Sequence, residues 1–366
     1  MRFVFASYVV TKEFDNPQAW LERIKIYANI PTKIAQNHEV FSIEEINYEG
    51  ELIKENVIYK FLRLPASRFY AAVKLNKYIA ALKPDIVIIH GLHFPLQVIH
   101  LRLLLNGKVK IIVQHHAEQP FKRFKKNIQR WAGKCIDAYL FASRDMGLDW
   151  VSKGNITCPE KVHEVMEVSS VFYPVEKRVV KAQLKITGQP VFLWVGRLNE
   201  NKDPLTAINA FLKFVTIEPD ARLYMIYHTE ELLSQIIHLL NNHADSSAIT
   251  LIGRVPNHEL LYWYNSADYI ISASHYEGSG TAVCEAMSCG CIPIVTDIFS
   301  FRMITDNGNC GLLYKAGNEG ALLLALKQTR QLNVQQTRDK CLAYFNANLS
   351  FNAIANKIVA IASSLK

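Results

Sequence analysis

The sequence predicts an α/β protein built from two Rossmann-like doubly wound domains facing each other across a cleft. Three observations carry this. The 366 residues suffice for two domains, each with its own core. Short β-rich runs alternate with longer helical ones along the whole chain. A polar, Lys-rich, Pro-containing stretch between Tyr173 and Pro190 interrupts this rhythm, which then restarts.

In the first half the expected strands are 2–10, 38–43, 57–62, 85–90, 110–114, 138–142 and 162–165. The intervening helices are placed at 17–36, 67–82 and 95–105, the first opened by Asn16 and Pro17. After the strand at 191–195, helices at 203–217, 230–242, 258–267 and 281–288 alternate with strands at 222–226, 250–252, 269–273 and 292–296. The domains are therefore set at 1–175 and 176–349, with a C-terminal helix near 350–366 packing back on the first. Ligands of such sheets sit at the carboxyl ends of the strands, which makes the cleft the place to look for chemistry.

Composition excludes several classes. Half the residues are hydrophobic and a fifth charged, which is globular composition. The first apolar run, 3–10, is too short for a secretory leader and meets Lys12, Glu13 and Asp15 at once, so it reads as a strand. No apolar run reaches the ~20 residues of a membrane span. Seven cysteines without a repeated C-x-x-C framework fit buried thiols in a reducing compartment. A cytoplasmic location follows, with a peripheral place on the membrane's inner face left open.

The net charge of +8 is uneven. Through Arg178 there are 26 Lys and Arg against 18 Asp and Glu, and the remainder balances at 15 each. An anionic partner on the first half is one reading and a solvated basic face the other. Residues 120–131 mix five cations with Phe121, Phe124, Ile128 and Trp131 at near-helical spacing. Such a segment lies on an anionic membrane or, as an ordinary domain helix, turns its aromatics to the core. No nucleic-acid-binding motif is present, so nucleic acid is not expected as a partner.

The chemistry concentrates in two segments of the second half. His275-Tyr-Glu277-Gly278-Ser279-Gly280-Thr281-Ala282 leads from a strand into a helix that carries Glu285. Gly278 and Gly280 permit close backbone approach, and the amides at Thr281 and Ala282 form an anion cradle at a helix start. Glu277 and Glu285 flank that cradle and, as carboxylates, suit sugar hydroxyls rather than phosphate. Upstream, a buried strand ends in Gly196-Arg197, and Lys202 follows at a helix start. A guanidinium fork and a mobile ammonium suit the two phosphates of a nucleotide diphosphate.

These residues resemble the family 4 glycosyltransferases of GT-B fold, through Gly196-Arg197 with Lys202, Glu277-x7-Glu285, Gly290 with Pro293, and Gly253 and Asp268 between them. The resemblance implies a retaining, metal-independent transfer of a hexosyl group from a nucleotide-diphosphate sugar. It implies that Arg197 and Lys202 neutralise the diphosphate, that Glu277 contacts the donor sugar, that Glu285 binds ribose hydroxyls, and that residues 280–282 supply amides. No cofactor or metal is expected, and no Asp-x-Asp pair is present. Front-face displacement, with the diphosphate assisting deprotonation, is the implied mechanism. The runs 83–91 and 110–116 resemble the family's paired strands, which makes His116, or alternatively His115, the active-site histidine.

The chain departs from the family pattern twice. Ser7 to Asn16 contains no glycine, leaving Asn16 and His115 as acceptor-side candidates, and Tyr227-His228 stands where a Gly-x-Gly is usual. The expected acceptor is a glycan or lipid-linked precursor in cell-surface polysaccharide or glycoconjugate synthesis. A sugar-nucleotide-binding protein without turnover, or another GT-B enzyme such as an epimerase, is the competing reading.

Overall fold

The alternation of strands and helices closes into two separate, largely parallel sheets in the computed structural model, which describes residues 1–9, 11–64 and 67–365. The first part of the chain runs β1 (Arg2–Ser7), α1 (Pro17–Arg23), α2 (Lys25–Ile34), β2 (Glu39–Glu44), β3 (Gly50–Lys54), β4 (Val57–Phe61), α3 (Arg68–Ala81) and β5 (Ile86–His90). It continues through α4 (Pro95–Leu104), β6 (Lys110–Gln114), α5 (Phe124–Gly133), β7 (Ala138–Phe141), α6 (Arg144–Ser152) and β8 (Val162–Glu164).

The second part runs α7 (Lys177–Gln183), β9 (Val191–Gly196), α8 (Pro204–Val215), β10 (Arg222–Tyr227), α9 (Leu233–Asn241), β11 (Ile249–Gly253), α10 (Leu260–Ser266) and β12 (Tyr269–Ser272). It ends with α11 (Thr281–Ser288), β13 (Ile292–Thr296), α12 (Phe299–Ile304), β14 (Leu312–Tyr314), α13 (Glu319–Gln328) and α14 (Val334–Tyr344). A last helix, α15 (Phe351–Ser364), follows.

Unit 1 comprises 1–169 and 351–366, and unit 2 comprises 170–350, against an expected change of domain at 175/176. Residues 170–175 join unit 2 because Phe172 packs in its core against Tyr264 and the Val175 amide donates to Asn265. Helix α15 packs on α2 within unit 1.

Unit 1 has strand order β3-β4-β2-β1-β5-β6-β7-β8, all parallel except β3, and unit 2 has β11-β10-β9-β12-β13-β14. The central strands read as near-continuous apolar runs because helices cover both faces: Phe3 to Ala6, Ile86 to Ile89, Ile111 to Val113 and Val191 to Trp194 are all buried. The chain crosses from one half of the sheet to the other between β1 and β5 in unit 1 and between β9 and β12 in unit 2. Such switch points leave a crevice beyond the strand ends.

Three local expectations need correction. The helix placed at 17–36 is two helices, because Ile24 leaves helical geometry with φ −99° and ψ 9°. The first strand ends at Ser7, and Val10 lies outside the described residues. Strand β3, absent from the sequence reading, forms an antiparallel hairpin with β4 through Glu55 and Asn56, both at positive φ.

Candidate active site

At the unit 2 switch point, Arg197 follows the last residue of β9 and its exposed guanidinium has no hydrogen-bond partner among the described residues. Asp203 caps α8, accepting from the Thr206 amide at 3.2 Å and holding His275 Nε2 at 3.2 Å, while Asn201 bonds the backbone of Tyr276 and His275. The loop after β9 is thereby tied to the loop after β12. Lys202 lies between them, its ammonium on Glu277, whose Oε1 also accepts from Ser274 at 2.6 Å. Lys202 and Glu277, expected to serve phosphate and sugar separately, thus bond each other.

Gly278, Ser279 and Gly280 form the buried turn into α11. Gly280 sits at φ +59°, and a Cβ there would come within 2.6 Å of the Phe301 ring, so any side chain would be strained and would force the ring to shift. The amides of Thr281 and Ala282 have no partner among the described residues, while those of Val283 and Cys284 reach back to the Gly280 carbonyl. Two open donors at a helix start are what an anion site requires.

Glu285, which the resemblance assigns to the ribose hydroxyls, is 8% exposed, and its Oε2 accepts from the buried Tyr264 hydroxyl at 2.9 Å. Burial, with the Glu285 charge beside it, holds that phenol far above its usual range. Tyr264 was missed because a tyrosine amid the apolar run 260–264 reads as core.

At the unit 1 switch point the ends of β1, β2, β5 and β6 surround a cavity of about 520 Å³. Phe5, Tyr27, Pro31, Ile43 and Phe94 form its apolar walls, and Glu44, His90, His116 and Glu118 bring polar atoms. His116 Nδ1 is ion-paired with Glu167, and its Nε2 is 2.8 Å from His90 Nδ1. Burial alone would depress His116, but the Glu167 charge and hydrogen bond, with the Glu118 charge, outweigh it and raise the imidazole above its ordinary 6.5. His90, buried beside that cation, is pushed down to about 3.

Glu118 accepts from the Leu92 amide at 2.8 Å and the His116 amide at 2.6 Å. Glu44 accepts from Trp20 Nε1 and Ser42, and burial raises its carboxyl above the usual range. His115 turns the other way, stacked on Phe141 with its Nε2 on the Glu118 carbonyl, so it is a core residue and no longer an acceptor-side candidate. Asn16 is exposed, and its side chain caps α1 by accepting from the Ala19 amide. Glu118 and Glu167 had no sequence signal beyond lying downstream of the paired strands.

Among the described residues no group of three or more His, Cys, Asp or Glu side chains could hold a metal ion. On α5 the aromatics do not turn to the core: Phe124 is 73% and Trp131 66% exposed, beside Lys122, Arg123 and Lys125. No described helix is long and apolar enough to cross a membrane.

Two Rossmann-like sheets, each with its own switch point, are the architecture of the GT-B fold. The family model described as "Glycosyl transferases group 1" matches residues 176–343, and that described as "Glycosyltransferase Family 4" matches 35–165. The chain belongs to this family of glycosyltransferases.

It is 25% identical over 153 residues to D-inositol 3-phosphate glycosyltransferase of Streptosporangium roseum, covering 39% of this chain and 35% of that one. The chain thus spans about a third of that relative's length. It is 21% identical over 328 residues to GDP-mannose:cellobiosyl-diphosphopolyprenol alpha-mannosyltransferase of Xanthomonas campestris, covering 86% of this chain and 80% of that one. Among solved structures, a glycosyltransferase from Rickettsia africae superposes with a TM-score of 0.75 at 16% identity, covering 100% of this chain and 98% of that one. Anabaena Alr3699/HepE in complex with UDP and glucose superposes at 0.71 and 13%, covering each chain fully.

Proposed function

We propose that this protein moves a sugar from a nucleotide-diphosphate sugar to a glycan or lipid-linked acceptor, with retention of configuration and without a metal, in the synthesis of a cell-surface polysaccharide or glycoconjugate. The observation that carries the reading is the unit 2 switch point, where the loop that carries Arg197 is tied to the loop that leads through Glu277 into α11, whose first two amides have no partner among the described residues. A diphosphate placed there meets a cation and helix-end donors that grow more valuable as it leaves with full charge. Glu277, Gly278, Ser279 and Lys202 then line the donor sugar, and Glu285 offers a carboxylate to the ribose.

Sugar transfer is named in both relatives, and the acceptor in the Xanthomonas name is a diphosphopolyprenol, which supports a lipid-linked acceptor here. The outward Phe124 and Trp131 among cations support a peripheral place on an anionic membrane. The unit 1 cavity, with its apolar walls and histidine pair, is the acceptor-side site. Nucleoside-diphosphate release from a panel of nucleotide sugars in excess EDTA tests the reading: one donor should stand out and turn over undiminished. Activity that vanishes in EDTA and returns with Mg²⁺ sinks metal independence, and silence with every donor favours a binding protein without turnover.

A further inference from the structure

Asp203 holds a backbone conformation that suits glycine better. It is left-handed, with φ 43° and ψ 57°, a region glycine enters without strain and other residues at a cost. Two contacts of its side chain offset that cost. One carboxylate oxygen accepts from the Thr206 amide at 3.2 Å and caps α8, and the other lies 3.2 Å from His275 Nε2. Capping needs only the first oxygen, which serine, threonine or asparagine supplies as well. The second is what makes an aspartate useful here, because it reaches the loop after β12.

His275 is seated to meet it. Its amide donates to the Asn201 carbonyl at 2.8 Å, and the Asn201 side chain donates to the Tyr276 carbonyl at 3.0 Å. Its ring packs over Gly317, where a Cβ would stand 3.1 Å from Cε1. Residues 201 and 203 are thus tied to residues 275 and 276. Lys202 stands between the first two, and Glu277, its ion-pair partner, directly follows the others.

We propose that the Asp203–His275 contact is a clasp that sets where Lys202 meets Glu277, and through that pair how well the donor is held. The inference rests on the sugar-transfer reading and adds Asp203 and His275 to it as positioning residues, neither of which has to touch the donor. The need for a clasp comes from the side chains it serves. A lysine ammonium is a mobile point charge on a flexible four-carbon stem, so its own geometry fixes little. Glu277 is held from one side, where its Oε1 also accepts from Ser274 at 2.6 Å. What remains to be set is the spacing of the two backbones, and these leave different strands, β9 and β12.

The same contact contributes little to the stability of the fold. The His275 side chain is 48% exposed, and an ion pair open to water on one side is screened. A residue that matters for the fold and a residue that matters for the site are therefore separable here. Loss of the clasp should lower donor use and leave the melting temperature where it was.

The test has one arm without a ligand and one with. In urea unfolding of the whole protein, the coupling between Lys202 and Glu277 is read from a double-mutant cycle of Lys202→Met and Glu277→Gln, in the wild type and in His275→Leu. The coupling should be present in the first and lost in the second; equal coupling in both overturns the clasp. With UDP-glucose and GDP-mannose as donors, His275→Leu should cut kcat/KM by about 10²-fold, the loss expected for a misplacement of about 1 Å. His275→Gln, which keeps an N–H that can face Asp203, should recover most of it. In a Lys202→Met background His275→Leu should add no further loss, because its effect passes through Lys202. Wild-type kcat/KM in His275→Leu, or losses that multiply in full with that of Lys202→Met, overturn the proposal. Should the wild-type protein turn over neither donor, the functional reading loses its support while the unfolding cycle still decides the clasp.

Discussion

The two switch points are built on the same plan and finished in opposite ways. In unit 2 the amides of Thr281 and Ala282 and the guanidinium of Arg197 have no partner among the described residues. In unit 1 the corresponding strand-end amides, those of Leu92 and His116, are already taken by the Glu118 carboxylate. An internal carboxylate thus takes up amides in unit 1, and the difference makes unit 2 the half where the proposed diphosphate is expected. Adding phosphate beside Glu118 would bring two anions into contact in a confined site, a repulsion of several kcal/mol at an effective dielectric near 20.

The comparison breaks first at Arg197. Arg197→Ala should lower turnover by about 10²- to 10³-fold, the usual loss for one preorganised donor, with the melting temperature unchanged because the side chain is exposed. Wild-type turnover in a folded variant would move the diphosphate elsewhere.

Glu285→Ala should both weaken donor binding and cost stability, since it strands the buried Tyr264 hydroxyl at a penalty of about 1–3 kcal/mol. Urea unfolding reads the second effect, and Tyr264→Phe in the same background should recover much of it.

Unit 1 offers a sharper pH test. Burial, with Glu44 beside it, lifts the Glu45 carboxyl from 4.5 to about 8, and its Oε1 has no partner among the described residues. The folded state therefore prefers the protonated acid. The sign follows: this preference is fully present below pH 4.5, erodes as pH rises, and is gone above about 8. Glu45→Gln should match the wild type in acid and gain on it across that window, by at most ~1.4 kcal/mol per pH unit. Parallel stability curves from pH 4 to 9 would show that Glu45 reaches water.

The smallest expected effect concerns α5. Replacing Lys122, Arg123, Lys125 and Lys126 by Gln should reduce co-sedimentation with anionic vesicles, and added salt should do the same to the wild type, because exposed charges act within a Debye length of ~8 Å. Equal binding by both proteins, or none by either, leaves the outward aromatics for another partner.

Much of the fold was legible because apolar runs and helix periodicity are local signals. The second half's helices and strands fall within a few residues of expectation, while β3 escaped because it is a half-exposed edge strand without a run of apolar residues. The helix break at Ile24 escaped because Lys25 to Ile34 continues the same amphipathic pattern.

The two sites differ in the same respect. Unit 2 draws Glu277, Gly280, Thr281 and Glu285 from one contiguous stretch, so their spacing could be read directly. Unit 1 gathers His90, His116, Glu118 and Glu167 from separate segments, and only the sheet order brings them together. Even His115 and His116 could not be told apart by type; neighbours at a strand end point to opposite sides, and the fold decides which side is core.

Helix α15 gives unit 1 a history as well as a shape. Its buried face, including Ile354, Ile358 and Ile361, packs into a unit whose other residues end at Ser169, so all of unit 2 is made in between. At ribosomal speeds of about 5–20 residues per second, unit 1 waits roughly 10–40 s for its final helix. Unit 2 can collect its last strand and fold while its elder half still lacks a wall. The first half to leave the ribosome is the last to be finished, and the α2 surface that receives α15 is what a chaperone would find uncovered in the interval.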